Sequence, residues 1–337
     1  MEVDLHSVFF GMLLLVLSVS QTIISQHLAN SDHTFPFKLS ALVLSTEIAK
    51  VFIASSSILY DYVREKETTK KKYTPKTRTF LALAVPAFLY TVSNTLLYKT
   101  IAIMGSTNAQ VWFNIRIVIT AILCRVMVGR QMSVLQWISI FLLLAGVLSC
   151  RDHAGEFNQY SISPQAILYL LIQTTSSSFA GVYQEVLFKN NSDERIAVKS
   201  LALYFWTCFL SYAQWRYDSI TDQAPFFQGF TSLTWISLLV NALYGQVVAL
   251  ALFFCDNLVK VFATSLGPIT AVVLDAVYSG LGFQFGQVLG ACIVLTSTIT
   301  FYSKHEWLGL QDHQALTRLR VGAVDGETEK FNSPRPV

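Results

Sequence analysis

Charge is scarce in this 337-residue sequence. Asp, Glu, Lys and Arg together make up 13% of it, about half the share usual in soluble domains. So few charges cannot cover a core drawn from a chain that is 53% apolar. A bilayer removes the difficulty, because each spanning helix takes about 20 apolar residues. Cysteine is sparse too. The five present (Cys124, Cys150, Cys208, Cys255 and Cys292) fall in or beside apolar stretches, with no metal-ligand spacing. They read as small core residues rather than as disulfides or ligands. The six histidines (His6, His27, His33, His153, His305 and His313) lie in loops, tails or span edges. Neither H-x-x-x-D, H-E-x-x-H nor a Gly-rich phosphate loop of the Walker type occurs. These absences exclude disorder, a collagen-like chain, a secreted disulfide scaffold and an ATP-driven pump. The expectation is a membrane protein that is not an enzyme and uses neither metal nor cofactor.

What is present are apolar runs separated by polar punctuation. They predict ten helices, at about 8–27, 38–60, 80–103, 107–128, 134–150, 164–187, 198–217, 233–255, 258–279 and 284–303. Strands are excluded because the runs are too long and lack alternation with a period of two. The first run, Val8 to Ile24, has an acidic start and no clear A-x-A site, so it reads as a retained span rather than a cleaved signal. The basic stretch between Asp61 and Thr79 holds Arg64, Lys66, Lys70, Lys71, Lys72, Lys76 and Arg78. Between apolar helices it marks a cytosolic loop rather than a nucleic-acid site. The 129–130 turn, the 188–197 loop and the tail from Lys304 fall on the same side, so both termini are cytosolic. The opposite loops, 27–36 and 219–231, carry no Lys or Arg.

Ile119-Thr120-Ala121 recurs as Ile269-Thr270-Ala271, 150 residues later. With five helices per half, such duplication gives inverted repeats around a midplane site. The expected fold is therefore an all-α membrane protein of ten transmembrane helices in two inverted five-helix repeats. Residues 1–150 form one half, 151–303 the other, and 304–337 a cytosolic tail expected to be largely mobile.

Ionisable residues at membrane depth are costly unless paired or hydrated, so each is a functional candidate. Glu47 and Lys50 stand at i,i+3 in the second span, suited either to a packing pair or to gating. In the fourth span, Gln110, Phe113, Asn114 and Arg116 would give one wall an aromatic ring, two amides and a guanidinium. That wall suits a planar base joined to a phosphate; the alternative is a structural Arg paired with an acid. Glu185 and Lys189 form an i,i+4 pair, structural or gate-forming. After Asp256-Asn257, Lys260 points into the first turns of a helix, where exposed N–H groups already favour anions, and Thr264 lies one turn further on. Lys260 with Arg116 would clamp a diphosphate or phosphodiester; the alternative is an Asp256–Lys260 bridge capping the helix.

Several strings resemble the nucleotide-sugar transporters of the drug/metabolite transporter superfamily, in the branch carrying CMP-sialic acid, UDP-galactose and UDP-N-acetylglucosamine. They are Thr46-Glu47-Ile48-Ala49-Lys50, Asn94-Thr95-Leu96-Leu97-Tyr98, Phe179-Ala180-Gly181-Val182-Tyr183-Gln184-Glu185 and Asp256-Asn257-Leu258-Val259-Lys260-Val261-Phe262-Ala263-Thr264-Ser265. The resemblance covers about residues 8–303. It implies ten helices with both termini cytosolic, and exchange of a nucleotide sugar for a nucleoside monophosphate across a Golgi or ER membrane. UDP-sugars are favoured over CMP-sialic acid. The family's fourth-helix pattern Y-Q-V-T-Y-Q-L-K is met at Gln110 and Val111, but Phe113, Asn114 and Arg116 replace its second Tyr, second Gln and Lys. Its N-x-Q-x-Y survives only as Tyr204. The base, ribose and sugar are thus assigned to Gln110, Phe113, Asn114, Asn94, Tyr204 and Thr264, and the phosphates to Lys260 and Arg116. The expected partners are the two nucleotides and membrane lipids, with glycosyltransferases or a second copy of the chain left open and nucleic acid excluded. Two rival readings stand beside this one: a same-fold carrier of another anionic metabolite, and a scaffold for glycosyltransferases that transports nothing.

Overall fold

The computed structural model describes residues 5–28, 35–64, 75–104, 109, 112–149, 163–190, 194–221, 223–279 and 285–302. Among them there is no strand. The helices are α1 (Leu5–Leu28), α2 (Leu39–Arg64), α3 (Thr77–Ala82), α4 (Ala84–Met104), α5 (Arg116–Met127), α6 (Val134–Ser149), α7 (Pro164–Asn190), α8 (Ile196–Thr221), α9 (Ser232–Phe254), α10 (Asn257–Ser279) and α11 (Phe285–Tyr302). Among the described residues five stretches are long and apolar enough to cross a bilayer: Val8–Ser25, Leu39–Val63, Thr77–Met104, Ile196–Ile220 and Ser232–Phe254. Large apolar side chains on their outer faces, such as Phe52 at 73% and Ile220 at 77% exposed, fit lipid and not water. The protein is a multi-pass, all-helical membrane protein.

Local chemistry sets several boundaries. The third apolar run begins at Thr77, before the expected start, and breaks at Leu83. Pro86 explains the break, since its ring collides with the carbonyl four residues back, at Ala82. The fourth run was expected to be one helix from 107; instead a 3-10 turn at Phe113–Ile115 leads into α5 at Arg116. Gly129, with φ of 71°, ends α5 and lets the Arg130 N–H reach back to the Cys124 carbonyl. Thr231 and Thr234 form a reciprocal capping box at the start of α9. The expectation that every cysteine is a core residue fails at Cys292, an exposed thiol on the outer side of α11; Cys124 and Cys255 are buried. Cys150, most of the basic 61–79 loop and the 304–337 tail lie outside the described residues.

The helices pack in a recurring scheme. α1 lies against α9 and α10, α7 against α4 and α5, α2 against α8 and α9, and α4 also against α8. α5 meets α10, and α6 pairs with α11. At that last crossing Gly146 leaves no room for a Cβ, which would sit 2.7 Å from Val294 Cγ2. The largest apolar cluster joins α5, α6, α7, α10 and α11 around Ile117, Leu143, Val182, Phe262 and Val294. On the other side of α5 and α10, the remaining helices leave a polar cavity between them.

Candidate functional site

The cavity encloses about 330 Å³. Its wall is built from polar stripes at helical spacing, because the opposite faces of the same helices must be apolar. α4 contributes Tyr90, Asn94 and Tyr98 at i, i+4 and i+8; α1 contributes Ser18, Gln21, Thr22 and Ser25; α9 contributes Ser237, Asn241 and Tyr244. Gln21 Nε2 donates to Asn241 Oδ1 at 2.6 Å, tying α1 to α9 within the wall. Among the described residues, no lining side chain comes from α6 or α11.

Two cations line this space, Arg116 at the head of α5 and Lys260 in the first turn of α10. Arg116 Nη2 donates to Thr264 Oγ1 at 2.8 Å, while its Nε is buried without a hydrogen-bond partner. The Lys260 ammonium stands 5.7 Å over the ring of Tyr90 and is 9% exposed. No carboxylate lies within ion-pair distance of either cation among the described residues. Tyr90 is itself held by donation to Gln184 Oε1 at 2.9 Å. Two positive charges, Lys260 buried and Arg116 partly so, with no counter-charge beside them among the described residues are costly alone, and an anion entering the cavity offsets that cost.

The alternative role for Lys260, a bridge to Asp256, is not present. Asp256 instead receives Lys189 Nζ at 2.8 Å and Arg130 Nη1 at 2.6 Å. The physical reason is position: Asp256 precedes α10 in its link to α9, facing the ends of α5 and α7. Burial alone would raise the Asp256 carboxyl, but the Lys189 hydrogen bond and the Arg130 charge outweigh it and hold the group below its ordinary range. Glu185 pairs with Lys189 at 2.7 Å, and its second oxygen accepts the Asn257 N–H at 3.0 Å. A buried carboxylate therefore caps the N-terminus of α10.

Glu47 and Lys50 pair at 2.7 Å, and both line the cavity. Thr207 donates to the other Glu47 oxygen at 2.6 Å, and the Lys50 ammonium lies 5.8 Å from the Tyr204 ring centroid. Lys50 reaches this position because Gly245 has no Cβ; one there would sit 2.6 Å from Lys50 Cε.

Of the residues expected to meet a base, ribose or sugar, Phe113, Asn114, Asn94, Tyr204 and Thr264 all line the cavity with Arg116 and Lys260. Gln110 lies outside the described residues. Glu185, Lys189 and Asp256 are not part of the lining but form the ion cluster where α5, α7 and α10 meet. Sequence reasoning passed over Tyr90, Tyr98, Gln184 and Tyr244, all in the wall. The signal for the first two was available in the i, i+4, i+8 spacing of Tyr90, Asn94 and Tyr98.

Comparison with known proteins points one way. The profile of a family described as nucleotide-sugar transporter matches residues 5–303. A UDP-N-acetylglucosamine transporter of Rattus norvegicus is 31% identical over 235 residues, covering 66% of this chain and 70% of its own. CMP-sialic acid transporter 1 of Arabidopsis thaliana is 26% identical over 307 residues, covering 88% and 89%. A UDP-galactose transporter of Schizosaccharomyces pombe is 27% identical over 279 residues, covering 79% and 78%. A chain in a solved crystal structure superposes with a TM-score of 0.64 at 11% identity, over 88% of this chain and 96% of that one, a likeness of fold alone.

Proposed function

The chain belongs to the nucleotide-sugar transporter family, and from that premise we propose that it exchanges a cytosolic nucleotide sugar for a lumenal nucleoside monophosphate across a Golgi or ER membrane. UDP-sugars are favoured over CMP-sialic acid. The observation that carries the proposal is the pair Arg116 and Lys260, one from each half of the chain, both lining the cavity and both without an acidic partner among the described residues. Lysine serves a phosphate as a point charge and arginine as a planar fork. Phe113, Asn114 and Asn94 add the ring and amides that suit a nucleoside, and Tyr204 and Thr264 complete the wall. Exchange follows from charge: an empty carrier holds two uncompensated cations, and crossing in that state is costly. Either nucleotide offsets them.

The architecture that fits this mechanism is ten spans in two inverted halves, 1–150 and 151–303, with the 304–337 tail and both termini in the cytosol. Packing supports it. If α3 and α4 count as one span, the contacts of α1 with α9 and α10 correspond to those of α7 with α4 and α5 under a shift of five spans. The contact of α2 with α9 corresponds likewise to that of α8 with α4, and the pairs α2–α8, α5–α10 and α6–α11 map onto themselves. Rocking of one half against the other around the cavity would alternate access.

The test is uptake of a panel of labelled nucleotide sugars into vesicles carrying the purified protein, preloaded with UMP, CMP or neither. Uptake that requires a preloaded monophosphate supports exchange. Absence of uptake for every nucleotide sugar overturns the reading.

A further inference from the structure

We propose that Gln173 reads the N–H donor edge of the nucleobase, the imide N3–H of uracil or the amino N4–H of cytosine; this deepens the transport function above and rests on it. Gln173 lines the cavity from α7 and is 4% exposed, and its Oε1 has no hydrogen-bond partner. A buried amide oxygen gives up its water on folding, and native proteins almost always return a donor to it. Among the described residues nothing in the wall does so. A ligand bearing an N–H group would.

Position along α7 matches the order of groups in a nucleotide. Three levels are fixed. Ser178 Oγ donates to the Arg116 carbonyl at 3.2 Å, which sets Arg116 beside that turn. Gln184 Oε1 holds Tyr90, over whose ring Lys260 stands. Gln173 precedes Ser178 by five residues and Gln184 by eleven, which at 1.5 Å rise is about 7 Å and about 16 Å along the axis. A nucleotide sugar laid along this wall puts its base at Gln173, its ribose between, and its phosphates at Arg116 and then Lys260. Phe113 and Asn114, three and two residues before Arg116, line the same cavity and can flank the base.

The experiment measures thermal stabilisation of the purified, monodisperse full-length protein by UMP, CMP, N3-methyl-UMP, N4,N4-dimethyl-CMP and ribose 5-phosphate. It is run on the wild type, Gln173→Leu and Gln173→Met; both variants keep the volume and remove the amide. In the wild type, methylation of the preferred base weakens binding. In both variants that base binds about threefold to tenfold more weakly, as for one neutral hydrogen bond, the methylation penalty shrinks, and ribose 5-phosphate binds as in the wild type. Retention of full UMP and CMP affinity by both variants overturns the Gln173 assignment while the transport reading stands. An equal loss of ribose 5-phosphate binding does the same, because it marks general damage to the site. If no nucleotide stabilises the wild type, both readings fall.

Discussion

The Arg116 guanidinium is anchored to Thr264 Oγ1 at 2.8 Å, so the first residue of α5 is set in place by a hydroxyl on α10. Thr264 accepts that bond while donating to the Val261 carbonyl at 3.1 Å, which fixes its own rotamer. Among the described residues the Arg116 Nε has no partner, which leaves it for a ligand.

Removing either cation should weaken nucleotide binding. Arg116→Ala and Lys260→Ala are each expected to cost about 1.5–3 kcal/mol of phosphate contact, about tenfold to a hundredfold in the Kd for UMP or CMP. Arg116→Lys and Lys260→Arg keep the charge and should lose less. Because Asp256 does not pair with Lys260, Lys260→Ala should leave Tm without ligand unchanged or raised. Titration of stabilisation on monodisperse protein checks both points, and wild-type affinity in both alanine variants would sink the phosphate assignment.

Thr264→Val removes the Arg116 anchor at nearly constant volume. Nucleotide affinity should fall by about threefold to tenfold, less than for Arg116→Ala. Thr264→Ser should recover most of it. A valine variant that binds like the wild type would mean that Arg116 needs no positioning.

The ion cluster beside α10 bears on stability rather than ligand choice. Glu185→Gln breaks a buried pair, Glu185 being 4% exposed, and weakens the cap on α10, so a loss of about 2 kcal/mol is expected. The Asp256 side chain is 39% exposed, and solvent screening limits Asp256→Asn to about 0.5–1 kcal/mol. Its carboxyl is held below the ordinary range, so its contribution is fully present above the unfolded pKa and is lost only as pH falls through the lower folded value. The Tm difference between wild type and Asp256→Asn should therefore be constant between pH 7 and pH 5. A difference that vanishes by pH 5 would contradict the pairing.

Orientation has its own marker in the sequon Asn190-Asn191-Ser192. The proposed topology puts it in the cytosol, out of reach of lumenal glycosylation, so no glycan is expected at Asn190. A mass shift removed by endoglycosidase and abolished by Asn190→Gln would reverse the orientation.

How much of this was legible beforehand depended on the range of the interaction concerned. Helices announced themselves because burying backbone in lipid leaves few alternatives, and the Glu47–Lys50 pair followed from i,i+3 spacing alone. The break at Leu83 was legible in principle from Pro86. The partners of Asp256 were not: Lys189 is 67 positions away and Arg130 is 126, and only the packing of α5, α7 and α10 brings them together. Gln173 was hidden for another reason. An amide in an apolar helix costs far less than a charge, so it did not stand out until the cavity gave it a direction.

The pairing of α6 with α11 divides labour within the molecule. Among the described residues neither helix lines the cavity, and the two meet at Gly146, where the Cβ of any larger residue would run into Val294. They act as a keel, a rigid member that steadies the hull without holding freight. Changes along that seam are therefore expected to shorten the protein's lifetime in detergent while leaving its nucleotide affinity alone.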